Sequence, residues 1–408
     1  MQKKKLRAYA NLIAKMGVNV QKGQDVVINA ELDQPEFIAV LVDECYKCGA
    51  RKVEVQWSYQ PLTKIHVRHM SLKTLSTLEN WELERLEHRA NTLPAMIHII
   101  SDDPDGLKGI NQSKYSASAQ KKRMIIKPYR DRMTNKYQWC IAAVPGVKWA
   151  KKLFPDLTKK AAVEKLWEYI LHASRADEDP IKQWENHNKN VHDKCEYINS
   201  LNLVSLHYTA SNGTDLTVGL VPSARFLGAA EPTSSGVMYN ANIPSEEVFT
   251  SPKKGEAEGI VYSSMPLSYQ GELIDNFKLT FKNGRVVEYS AEQNEELLGK
   301  LLSMDEGASY LGECALVPYE SPIRQTGVLF YNTLFDENAA CHLALGDAYP
   351  EVLDDFNDLT MEQCKERGMN SSIIHEDFMI GTKDLSIVGT TADGKEIQIF
   401  KNGSWAIK

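Results

Sequence analysis

Four stretches in the second half of the chain set acids and histidines into otherwise apolar or turn-forming text. In 242–252, Glu246 and Glu247 lie between Pro244 and Pro252, which favour extended backbone. The two acids then point opposite ways, and at most one faces a given site. In 305–317, Glu313 is embedded among Leu311, Gly312, Cys314, Ala315 and Val317. Burying a carboxylate there is costly without a partner or a metal. The stretch 332–350 adds Glu337, His342 and Tyr349. In 371–381, read as a strand, His375, Asp377 and Met379 share one face, with Ile374, Glu376 and Phe378 on the other. Each stretch alone also has a plain reading: solvated glutamates, an acid on an exposed strand face, a hydrogen-bonded core histidine.

Together they offer carboxylates at Glu247, Glu313, Glu337 and Asp377, and imidazoles at His342 and His375. That mixture suits two borderline divalent ions such as zinc, cobalt or manganese, with magnesium possible. Other chemistries find less support. There is no thiolate cluster for a structural zinc, no H-E-x-x-H, no G-x-S-x-G and no papain-like cysteine signature. Cys45 and Cys48 form a C-x-x-C, but at the end of an apolar helical pattern, whereas a redox pair opens a helix. Composition and spacing reach a metal hydrolase and stop there.

The stretch 332–350 is expected to hold a helix capped by Asp336 or Asn338 and ended by Gly346 and Pro350. His342 would then sit mid-helix. Tyr349 would reach the site from the turn that follows, because a residue before proline leans to extended backbone.

The elements that must position these residues come from a chain of 408, long enough for two domains. Its composition, 43% hydrophobic and 25% charged, is that of an ordinary globular protein, and the net charge of −7 argues against nonspecific nucleic-acid or anionic-membrane binding. No run approaches eighteen apolar residues, and no signal-like apolar core follows the basic start, so a cytoplasmic address is expected. Seven scattered cysteines are no disulfide framework.

The first half reads as helix 3–16, strand 25–30, helix 34–47 and strand 52–57, a βαβ unit and hence parallel pairing. Further strands are expected at 96–100, ending in Ser101, Asp102, Asp103 and Pro104, and at 137–143, ending in Val144, Pro145 and Gly146. No glycine-rich phosphate loop follows any of them, so a nucleotide cofactor is not expected. Helices at 158–174 and 184–200 close this half, which sets domains at 1–200 and 201–408. Beyond them come a hairpin, 203–208 with 215–220, strands at 259–264, 271–282 and 285–289, and a helix near 295–303. The fold class is α/β plus α+β, with a mostly parallel sheet in the N-terminal domain.

The segments 242–252, 306–318, 330–346 and 375–381, in that order, resemble the M29 metallo-aminopeptidases, and the likeness runs from the first helix to 402–406. The resemblance implies a cytoplasmic, homodimeric exopeptidase whose C-terminal α+β domain carries two divalent ions and which takes peptides with a free N-terminus. It places the metal ligands on Glu247, Glu313, His342, His375 and Asp377, with Glu313 shared by both ions. Glu337 is a sixth candidate, as ligand or as support to one. Tyr349 matches the family's catalytic tyrosine, and Glu313 or a neighbouring carboxylate would move the proton of the attacking water. Two other readings stand beside it: a dinuclear hydrolase of a different amide or ester, and a peptide-binding protein of the same fold that has lost its ions.

Overall fold

The computed structural model describes residues 3–407. The chain divides into two compact units, Met1–Glu185 with Ala230–Pro244, and Asn186–Ala229 with Ser245–Lys408. Composition places the boundary at 200; here it falls within the helix Pro180–Ser200. The stretch 230–244 belongs to the first unit because Asn242–Ile243 pairs with a strand of that unit's sheet.

The first unit is the expected parallel α/β layer. Strands β1 (Asp25–Glu31), β2 (Lys52–Ser58), β3 (Ala95–Ile100) and β4 (Trp139–Ala143) lie in the order β2-β1-β3-β4, and Asn242–Ile243 adds a fifth parallel strand beside β4. One face of the sheet presents Val26, Ile28 and Ala30, with Ala95, Ile97 and Ile99 beside them, all buried. On it lie Tyr9 of helix α1 (Lys3–Leu12), Phe37 of α2 (Pro35–Lys47) and Trp167. Their rings meet in tilted and edge-on contacts 5.7–6.1 Å apart, and the Tyr9 hydroxyl donates to the Ala143 carbonyl. The other face is more polar: register aligns Glu54 with Val27 and Met96, and Gln56 with Asn29 and His98. Two more helices matter below, α3 (Asn80–Thr92) and α4 (Gln112–Met133).

The second unit is antiparallel. The expected hairpin, Leu203–Thr209 with Asp215–Leu220, belongs to a nine-stranded sheet that also holds Pro252–Tyr262, Glu272–Lys282 and Arg285–Gln293. A second sheet of four strands runs β5 (Val248–Thr250), β6 (Leu311–Leu316), β7 (His342–Gly346) and β8 (His375–Met379). One core joins the two sheets: Leu206, Tyr208, Leu216, Phe277 and Phe281 share it with Cys314, Leu316, Leu343, Leu345 and Phe378. Burying each large side chain there contributes about 1.5–3 kcal/mol.

One element differs from expectation. His342 is on a strand, not a helix. Asp336 does not cap a helix; its carboxylate accepts the backbone N–H groups of Phe330 (2.7 Å) and Asn332 (2.9 Å) and so ties a turn. Helix is confined to Thr333–Asp336 and a single 3₁₀ turn, Glu337–Ala339. The physical reason is burial on both faces. Every residue of β7 is buried between β6 and β8, and a short run covered on both sides carries no alternation to mark it as strand. Among the described residues no helix is long and apolar enough to cross a membrane.

Candidate metal centre

The four-stranded sheet explains how an acid sits in apolar text. Side chains alternate along a strand, so Glu313 faces opposite to Gly312 and Cys314. Cys314 goes into the core, and Glu313 goes to the other face with little solvent exposure. Register then builds the site row by row. Glu313 lies opposite Ala344 on β7, and Ala344 lies opposite Asp377 on β8. A methyl between two acids leaves room for both carboxylates to converge over it. One step along, His342 pairs with Ala315 on one side and Met379 on the other; one step back, Gly346 pairs with His375. His342, Ala344 and Gly346 therefore share the face that carries Glu313, His375 and Asp377.

Two glycines let the strands close up. Gly312 sits at a register shift in β6, where an added Cβ would lie 2.2 Å from the Asp347 carbonyl oxygen. Gly346 has a φ of +108°, and a Cβ on it would lie 2.1 Å from the Ile374 oxygen.

The distances define two groups. Glu247, just before β5, brings Oε2 to 3.4 Å from Nε2 of His342. His375 Nε2 is 3.0 Å from Glu313 Oε2 and 3.4 Å from Asp377 Oδ1. Potential ligand atoms of Glu247, Glu313 and His342 lie within 4.8 Å of one another, as do those of Glu313, His375 and Asp377. Glu313 belongs to both. Both histidines donate Nδ1–H to backbone, His342 to Ala340 (3.1 Å) and His375 to Asp347 (2.7 Å). That turns each Nε2 to the acids, where it can hold a proton or, once deprotonated, offer its lone pair to a metal.

Glu337 is in neither group. Asn338 Nδ2 donates to its Oε1 at 3.3 Å. Burial, and then the charges of Asp377, Glu247 and Glu313, hold its carboxyl well above the ordinary range. Burial likewise raises Glu313, with Asp377 and Glu247 adding to the rise against the pull of His375. For His342 burial works downward, but Glu247, Asp377 and Glu313 prevail and carry it to about 9. Four carboxylates thus crowd two imidazoles in a space short of positive charge.

Divalent cations fit this donor set. Its buried atoms His375 Nε2 and Asp377 Oδ1 make no hydrogen bond, and its excess is of negative charge. Two imidazole nitrogens among carboxylate oxygens are the ligands that borderline ions take.

Tyr349 stands in extended backbone just before the turn Pro350–Val352, as its proline predicts. Its ring centroid is 4.5 Å from that of His375 and 5.9 Å from that of Phe249. Although 41% of the residue is exposed, burial of part of it and then the charges of Glu313, Asp377, Glu337 and Glu247 push the phenol well above its usual value. It stays a hydrogen-bond donor. Of the residues singled out from sequence, Glu247, Glu313, His342, His375 and Asp377 make up the two groups, Tyr349 lies against His375, and Glu337 stands outside both groups but feels the charges of Asp377, Glu247 and Glu313. Glu246 enters neither group; its backbone N–H donates to Asn338 Oδ1 at 2.7 Å.

Sequence reasoning missed Asn338. It is fully buried, donates from Nδ2 to the Leu334 carbonyl as well as to Glu337, and its own carbonyl accepts from Ser321 Oγ at 2.6 Å. A signal was present, an amide beside an acid in a run leading into Ala339, Ala340 and Cys341, but read as a helix cap it pointed elsewhere.

The chain is similar to known proteins along almost its whole length. The family described as thermophilic metalloprotease (M29) matches residues 2–405. Aminopeptidase AmpS of Bacillus subtilis is 43% identical over 404 residues, covering 98% of both chains. Aminopeptidase T of Thermus thermophilus is 36% identical over 407 residues, covering 99% of both. The solved structure of wild-type AmpT from Thermus thermophilus superposes with a TM-score of 0.92 at 35% identity, over 99% of this chain and 100% of that one.

Proposed function

The chain belongs to the M29 family of thermophilic metalloproteases and is a metal-dependent aminopeptidase, and we propose that it works through two divalent ions that share Glu313. One ion would be held by Glu247, Glu313 and His342, the other by Glu313, His375 and Asp377. Zinc, cobalt and manganese suit the two imidazoles; magnesium, which prefers oxygen and water, suits them less. The observation that carries this reading is the pair of three-residue groups meeting at one carboxylate.

When bound, the ions supply Lewis acidity, polarising a carbonyl and lowering the pKa of water. The residues do the rest. Glu313 or Glu337, among carboxylates already crowded, takes the proton of the attacking water and passes it to the leaving amine. Tyr349 donates its phenolic proton in a hydrogen bond to the oxyanion that develops on the scissile carbonyl. Glu247 receives the cationic α-amine of the substrate, which confines cleavage to a free N-terminus. Phe249 and His375 pack against the Tyr349 ring and hold it in place at the edge of the site.

The substrates are then peptides with a free N-terminus. A homodimer is proposed from the family likeness, and sedimentation velocity tests it. Seven cysteines, all unbridged, support a reducing, cytoplasmic setting. The test of the function is turnover of aminoacyl substrates, free and N-blocked, by metal-loaded protein. Preference for the free amine is expected; equal turnover of both would overturn exopeptidase action in favour of a broader amide or ester hydrolase.

A further inference from the structure

The first unit carries a group of cationic side chains that its own acids leave under-satisfied. Arg85 and Arg89 lie one turn apart on α3, so their side chains emerge from one face of that helix. Arg89 Nη2 is 3.7 Å from Glu54 Oε1, too far for a hydrogen bond, and that nitrogen is buried without a partner. The Arg85 guanidinium lies 5.0 Å from the Trp81 ring centroid, and its Nε is also buried and unpartnered. Arg132 shows what satisfaction looks like nearby: its two Nη atoms hold Glu87 at 2.7 and 2.9 Å. Glu87 is thereby spent. Glu82, also on α3, accepts the backbone N–H of Glu79 as part of the helix cap.

Register shows where Arg89 reaches. Glu54 on β2 is in one row with Val27 and Met96, and the next row is Gln56, Asn29 and His98. Arg89 therefore lies over the polar face of the sheet, close to His98. Asn29 Nδ2 is 3.5 Å from His98 Nδ1, and in the tautomer that accepts there the ring presents Nε2–H as a further donor. Gln56 Nε2 donates to Glu54 Oε1 at 2.7 Å, so the acid facing Arg89 is already shared with an amide. The helix above is loosely seated: no residue of α3 is fully buried.

We infer that Arg85, Arg89 and His98 form a binding site for an oxyanion, a phosphate or a carboxylate, between α3 and the polar face of the parallel sheet. Two guanidinium groups on one helix face suit bidentate recognition of either group. The electrostatics agree with the geometry. Burial, then Arg85, depress the Arg89 guanidinium, and burial, then Arg89 and Arg130, lower His98 below its ordinary value. His98 is thus a neutral donor, and an anion would relieve the repulsion between the arginines. Glu54, 44% exposed at its side chain, is the internal competitor that a bound anion displaces from Arg89.

The test is isothermal titration of the metal-loaded full chain with inorganic phosphate and, in a second arm, acetate. The expected result is binding that weakens with added salt. Arg89→Gln and Arg85→Gln should each reduce affinity at least about tenfold while peptide turnover is unchanged. Glu54→Gln should shift the other way and tighten binding, because it removes the competitor; this variant decides the matter even if an arginine variant folds poorly. Phosphate binding without acetate binding assigns the site to a phosphoryl group, and binding of both assigns it to carboxylates as well. Turnover followed with phosphate present separates this site from the metal centre, since inhibition there would be the same in Arg89→Gln. No binding of either anion at millimolar concentration, or Arg89→Gln and Glu54→Gln both binding like the parent, would overturn the inference.

Discussion

In the proposed centre Tyr349 and Asn338 would act by different physical means, one from its exposed edge and one from beneath it. The Tyr349 ring lies against His375, and its phenol is held neutral by burial and then by the acids around it. Tyr349→Phe keeps the ring contact and removes the donor, so kcat should fall on the order of 10²-fold with ion content unchanged. An unchanged kcat would remove tyrosine from the reaction. Asn338 is fully buried. It fastens the segment leading to Glu247 through the Glu246 N–H, and steadies Glu337 from the side. Asn338→Asp retains the acceptor, loses both donors and adds a negative charge. Loss of such support typically costs ten- to a hundredfold in metal affinity. A chelator competition should find the ion near Glu247 weakened by that order, with the ion at His375 and Asp377 little affected; equal loss at both would point to general destabilisation.

At the scale of elements, the site is one face of a four-stranded antiparallel sheet whose opposite face is core. Ala344 is the residue over which Glu313 and Asp377 meet. Ala344→Leu should fill that space, costing about 1–3 kcal/mol of stability through overpacking and abolishing ion uptake. Calorimetry and metal analysis on one sample check both. Gly346→Ala puts a Cβ against the Ile374 oxygen at a φ of +108°, and should cost on the order of 2 kcal/mol or more. A loop contact gives a pH signature. Asp384 accepts from the Ser211 N–H (2.8 Å) and the Thr382 hydroxyl (2.7 Å); hydrogen bonding by the Ser211 side chain, then by Thr382 and the Ser211 backbone, lowers its pKa to about 2. A depressed carboxyl adds stability above its unfolded pKa of about 4, and that stability is lost as pH falls through the folded value. The Tm gap between the parent and Asp384→Asn should therefore be present at neutral pH and close near pH 2; a gap that does not vary with pH would contradict this. These elements were unequally legible. The βαβ unit and the hairpin are legible in the sequence because apolar runs and turn residues mark them locally. β7 was misread because its neighbours, β6 and β8, are 25 or more residues away in sequence, and only their cover makes His342 to Gly346 a strand. The residue types of the site were legible before its geometry: Glu313 stood out against apolar flanks, while Ala344 and Asn338 gained meaning only from register and hydrogen bonds.

For the whole molecule, the proposed centre would couple folding to metal. Four carboxylates near two histidines repel one another unless cations or protons intervene. Ion removal by a chelator should lower Tm, by the equivalent of about 4 kcal/mol when free ion had stood at a thousand times its Kd. Because protons compete for the same ligands, ion affinity should fall as pH drops. The most direct test of the central claim is the number of ions retained per chain, measured by elemental analysis after gel filtration in the parent and three variants. If Glu313 is shared, the parent carries two ions, His342→Ala and Asp377→Ala each carry one, and Glu313→Ala carries none. A parent with a single ion, or a Glu313→Ala chain that still holds two, would contradict it.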